Sequence, residues 1–176
     1  MSLLLLNLPT YAEALIRRLL RQGDEVRVVE SDRTLAERWI SSGAHVARGR
    51  ASDPDLVERA AQGARSVVVM ERRGEDLAAV VRSAVEGAKL ASRDMRLIVC
   101  ARGVDGEILD IVRRSLLEHV VIQTGSVGDR RLLRSRTPSE KVFEAIDAGD
   151  DLPGHPRLEL DLDNDQAWRD LGLEPP

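Results

Sequence analysis

The chain has 176 residues, 43% of them hydrophobic and 32% charged, a composition that supports one substantial core under a polar surface. Aromatic residues make up only 2%, which excludes the stacking platforms that single-stranded nucleic acid needs, and a net charge of −4 excludes a general attraction to polyanions. The single cysteine, Cys100, excludes an internal disulfide. The apolar run Leu3–Leu6 is too short for a signal peptide and nothing approaches membrane-spanning length, so the expectation is a cytoplasmic protein that does not enter the bilayer.

Leu3–Leu6 predicts a first strand, and apolar residues at 12, 15, 16, 19 and 20 predict a helix over 11–21, stopped by Gly23. Val26, Val28 and Val29 form the next strand, followed by a helix over about 33–42 that Gly43 closes. A short strand at 44–48 leads to Ser52-Asp53-Pro54, a cap followed by proline at the first helical position. Further strands are expected at 66–70, 95–101 and 119–123, with helices over 75–91 and 106–118 between them. Cys100 falls inside such an apolar run and reads as a core residue.

Strands that are continuous apolar runs belong to a parallel sheet covered on both faces. The alternating rhythm therefore predicts an α/β fold, a Rossmann-type doubly wound, mostly parallel six-stranded sheet over residues 1–125. Residues 126–176 form a helical and acidic extension. It opens on the basic stretch Arg130, Arg131, Arg134 and Arg136, and Thr137 with Glu140 has capping-box spacing. Residues 157–162 alternate like an edge strand, and 166–171 suit a helical turn or two. The acidic tail reads as a solvated face or as a surface that meets the basic stretch of a neighbouring subunit. Asp161, Asp163 and Asp165 match only the start of a calcium loop, without its glycine and distal glutamate, so no metal site is expected.

Ligands of such a sheet sit beyond the carboxyl ends of the strands. Glu30 ends the second strand about 20 residues past the first loop, the place of an acid that binds an adenosine ribose; the alternative is a surface carboxylate at a helix start. The first loop puts Asn7, Pro9 and Ala12 where three glycines would stand, and Pro9 has no N–H. Thr10 and Glu13 are expected to form a capping box that closes the phosphate-binding amides. Arg33, Arg48, Arg50, Arg72, Arg73 and Arg102 at the strand ends could hold an anion by side-chain contacts instead. Catalysis has little support: Tyr11 lacks a partnering lysine, and His45, His119 and His155 fall away from the expected crevice.

The stretches VRVVESDRTLAERW, HVARGRASDPDLVERA, ARSVVVM and RLIVCARGVDGEILDIVRRSLLEHVVIQTG resemble the nucleotide-binding TrkA-N domain of the regulators of potassium conductance, the RCK family. The resemblance covers residues 3–125 and departs from the family at the glycine loop and at Arg50. It implies a non-enzymatic regulatory domain that binds NAD or an adenine mononucleotide, or has a vestigial site binding neither, and that forms a homodimer and controls a membrane potassium transporter or channel. It assigns Glu30 to the ribose and Ala51–Asp53 to the adenine-side wall. The candidate binding set is Asn7, Glu30, Asp32, Arg33, Arg50, Ala51, Ser52, Asp53 and Arg102, with no catalytic residue. Two alternatives stand beside it: an atypical NmrA-like short-chain NAD(P)-binding reductase, for which the substrate half looks too short, and a pseudo-Rossmann interaction scaffold that binds no nucleotide.

Overall fold

Leu3, Leu4, Leu5 and Leu6 are all fully buried, as required of a strand covered on both faces. The computed structural model describes residues 2–125 and 138–175; the basic stretch Arg130–Arg136 and the expected cap Thr137 lie outside the described residues. Seven strands, β1 (Ser2–Leu6), β2 (Glu25–Glu30), β3 (His45–Arg48), β4 (Ser66–Met70), β5 (Arg96–Ala101), β6 (Glu118–Gln123) and β7 (Arg157–Asp161), make one sheet. Every pairing is parallel, in the order β3-β2-β1-β4-β5-β6-β7. This is the doubly wound order with its switch point between β1 and β4.

The expected six strands become seven because the alternating segment after residue 156 joins the sheet as an edge strand. In β7 and just past it, Leu160 and Leu162 are buried while Glu159 and Asp161 face outward, the half-buried pattern of an edge. Alternation within the inner strands divides the core in two. Leu3 and Leu5 share a cluster with α1 (Glu13–Arg21), α2 (Arg33–Ser41), α6 (Pro138–Asp151) and α7 (Asp165–Asp170). Leu4 and Leu6 share the other cluster with α3 (Pro54–Ala61), α4 (Leu77–Ala91) and α5 (Gly106–Ser115).

Local signals explain most helix starts. Asp32, Asp53, Asp76 and Asp105 are N-caps whose carboxylates accept from amides of the first turn, and Pro54 follows Asp53 at the first helical position. Several acidic residues of the C-terminal part pair within the chain: Asp147 with Arg18 at 2.8 Å, Asp150 with Arg65, and Glu159 with Arg113 at 2.6 Å. They tie α6 and β7 to α1, the start of β4 and α5.

Gly87 sits in the middle of α4, where alanine normally favours a helix by about 1 kcal/mol. Here a Cβ would stand 2.7 Å from Val57 Cγ1 and 2.8 Å from the Glu58 backbone nitrogen, so the gap lets α3 lie against α4. Gly87→Ala is therefore expected to destabilise the fold by roughly 1–3 kcal/mol, the cost of overpacking, read as a lower melting temperature. A neutral or raised melting temperature would refute the close-approach account.

Candidate functional site

The switch point opens on a cleft at the carboxyl ends of β1, β2, β3 and β4. Its lining includes Asn7, Glu30, Arg50, Ala51 and Ser52 from the expected set, joined by Val29, Ser31, Arg72, Glu75 and Val80. The volume is about 200 Å³, below the roughly 300–1,000 Å³ of a complete ligand pocket, so it suits one end of an extended ligand.

The first loop differs from expectation in a way that matters. Asn7 adopts φ +57°, the left-handed conformation that a first glycine would supply. Asparagine is among the few other residues that enter this region at low cost. Its side-chain nitrogen donates to Met70 O at 2.9 Å, so the amide is buried and also fastens β1 to β4 beneath the cleft. The capping box is corrected. Ala12 is the N-cap of α1, with no side-chain cap, and Glu13 turns sideways to Arg17 and to Arg38 Nε at 2.7 Å. The pull of those guanidiniums, Arg38 first, lowers the Glu13 pKa. No carboxylate therefore occupies the amides at the start of α1. Pro9 lies in the turn, and its carbonyl accepts from Ala12 N at 2.9 Å.

Glu30 ends β2 as expected but is 2% exposed. Arg72 Nη1 donates to both of its oxygens, at 3.1 and 3.0 Å. The fully buried Trp39 indole donates to Oε2 at 3.4 Å, and Asp32 N donates to Oε1 at 2.9 Å. A buried indole N–H needs an acceptor and a buried carboxylate needs a cation, so α2 and the end of β4 satisfy each other through Glu30. Arg72 was legible only as one of six strand-end arginines. Ser31 and Glu75 carried no signal of their own.

The other expected residues lie off the cleft lining. Asp32 and Asp53 are the caps of α2 and α3. Arg33 is 84% exposed and pairs with Glu37 at 2.9 Å. Arg102 stands at the end of β5, where its backbone N–H donates to Glu71 Oε2 at 2.8 Å. His119 and His155 lie at the amino-terminal side of the sheet, bonded to Leu117 O and Glu118.

On the far side of the switch point Tyr11 is 53% exposed, with its ring 6.2 Å from that of Phe143. Burial of the hydroxyl raises its pKa, with Cys100 and Glu71 adding to the effect and Arg102 opposing it. Cys100 below is buried, and burial pushes its thiol to about 12, so it is a core atom and not a nucleophile. Among the described residues no group of three or more His, Cys, Asp or Glu is placed to hold a metal, and no helix is long and apolar enough to cross a membrane.

A parallel sheet in this order with a cleft at its switch point defines a Rossmann-type nucleotide-binding protein. The chain belongs to the TrkA-N domain family, which it matches over residues 8–123. No curated protein matches its sequence. Among solved structures it is similar to ChuY, an anaerobillin reductase from Escherichia coli, with a TM-score of 0.69 and 13% identity over 92% of this chain and 96% of that one. It is similar also to a triphenylmethane reductase from Citrobacter sp. (TM-score 0.64, 12% identity, 90% of this chain and 68% of that one). An NADPH-dependent quinone oxidoreductase from Escherichia coli gives a TM-score of 0.64 at 12% identity over 90% of this chain and 66% of that one. At these identities the likeness establishes the fold. The expectation that the chain is not an enzyme is corrected by these three neighbours, which share the fold over 90% or more of the chain and are themselves described as reductases or an oxidoreductase. Family and fold together support nucleotide binding.

Arg72→Ala strands the Glu30 carboxylate and is expected to cost roughly 3 kcal/mol, the low end for a broken buried pair. Arg50→Ala, in an exposed loop without a partner among the described residues, is expected to stay within about 0.5 kcal/mol of the parent. Chemical denaturation of the two variants checks the contrast, and equal stabilities would refute the role given to Arg72.

Proposed function

We propose that the chain is a nicotinamide-dinucleotide-dependent reductase whose cofactor lies across the switch point. The observation that carries this reading is the first loop: Asn7 supplies the left-handed turn and α1 begins without a side-chain cap. Backbone amides at a helix start favour a pyrophosphate. The cleft beside Glu30 suits the adenosine end, and the exposed Tyr11 on the far side of the switch point, backed by the buried Phe143, would stand at the reacting end. The cofactor, when bound, supplies a hydride. Tyr11 would orient the acceptor against the apolar floor and keep its hydroxyl proton available there.

The length of the substrate half does not count against this reading: ChuY, described as a reductase, is matched over 96% of its chain. The family match favours a second reading, a nucleotide-sensing role in potassium transport, for which the same ligand would act as the signal.

Saturation with a reduced or oxidised nicotinamide dinucleotide at about a hundred times its dissociation constant is expected to stabilise the fold by about 2.7 kcal/mol. For a domain of this size that raises the melting temperature by roughly 5–10 °C. Loss of reduced-nicotinamide absorbance with a panel of quinone and conjugated-carbonyl acceptors would support the reductase. A shift with adenine mononucleotides alone, and none with dinucleotides, would overturn it in favour of the sensing role.

A further inference from the structure

We propose that the adenosine end of the cleft is built for a 2′-phosphorylated ribose, making the cofactor NADP(H) and Arg50 its specificity-determining residue. The assignment rests on the dinucleotide reading above and asks which dinucleotide it is.

An unphosphorylated ribose is recognised through its hydroxyls, and an acid at the end of the second strand is the usual acceptor. Glu30 stands there but cannot serve. A carboxylate has two oxygens and about four acceptor sites. Arg72 Nη1 takes one contact on each oxygen, Asp32 N takes a second on Oε1, and Trp39 Nε1 takes a second on Oε2. Three donor nitrogens make four contacts, two on each oxygen, with a group that is 2% exposed. A ribose hydroxyl could bind Glu30 only by displacing a guanidinium or a buried indole, either of which would lose a better partner.

The groups that remain available in the cleft are mainly donors. Arg50 lines it with no ion pair among the described residues and offers five N–H groups and no acceptor. Arg72 uses Nη1 alone on Glu30 and keeps its other nitrogens. The hydroxyls of Ser31 and Ser52 line the same space and make no hydrogen bond within the described residues. A corner rich in donors beside a saturated acid suits a ligand group that only accepts, and a phosphate monoester is such a group. Guanidinium adds charge and a planar fork suited to phosphate.

The opposing charges are accounted for. Asp32 and Asp53 accept from the amides of Leu35 and of Asp55 and Leu56, at the starts of α2 and α3. Glu75 is the one lining carboxylate besides Glu30, and it is solvent-exposed.

The test is titration calorimetry of the whole chain with NADP⁺, NAD⁺, 2′,5′-ADP and 5′-ADP, repeated on Arg50→Ala. The parent is expected to bind each 2′-phosphorylated ligand about tenfold or more tightly than its unphosphorylated counterpart, the ratio one charge-assisted contact provides. Arg50→Ala should lower that ratio several-fold, because the loss of affinity falls mainly on the 2′-phosphorylated ligands. NAD⁺ binding as tight as NADP⁺, or a ratio that survives Arg50→Ala, overturns the 2′-phosphate site and leaves the dinucleotide reading standing. Failure of NAD⁺ and NADP⁺ alike overturns the dinucleotide reading, and the assignment falls with it.

Discussion

A parallel sheet must be covered on both faces, and the rest of this molecule answers to that constraint. Leu3 through Leu6 have no exposed side, so helices are required above and below the strand. The strand order β3-β2-β1-β4-β5-β6-β7 meets the requirement by sending α1 and α2 to one face and α3, α4 and α5 to the other. Neither set covers the carboxyl edge between β1 and β4, and the cleft is the gap left where the chain changes sides.

The sheet and most helix boundaries were legible because their signals are local. Val-rich strands, aspartates ahead of helices and glycines behind them determine conformation through near neighbours. Pro54 after Asp53 is read correctly for that reason. The seventh strand was legible as an edge but not as a member of the sheet, since strand pairing joins residues distant in sequence. His119 meets Arg157 across that pairing.

The site was half legible. Asn7, Glu30, Arg50, Ala51 and Ser52 were found by counting to strand ends. What their neighbours do to them was not. Thr10 and Glu13 have capping-box spacing, yet Arg38 on α2 draws Glu13 away, a contact across 25 residues. A side chain with two competing offers cannot be assigned by spacing. The missing glycines were likewise misleading: the turn needs a positive φ, and Asn7 provides it. Glu30 reverses in the same way. Its position marks a ribose acid, while Arg72 and Trp39, reached only by folding, make it a structural anion.

The first cluster of the core joins Leu3 and Leu5 to Trp168 and Leu171, residues far apart in sequence. During synthesis, β1 through β6 and the helices on the α3–α5 face emerge before α6, β7 and α7 exist to cover the other face. Until Trp168 has left the ribosome, Val120 and Ile122 present an uncovered apolar surface beside the unpaired edge of β6. The folding of this domain is therefore completed only after Trp168 has emerged, and shielding of that edge in the nascent chain matters more than the speed with which the local helices form.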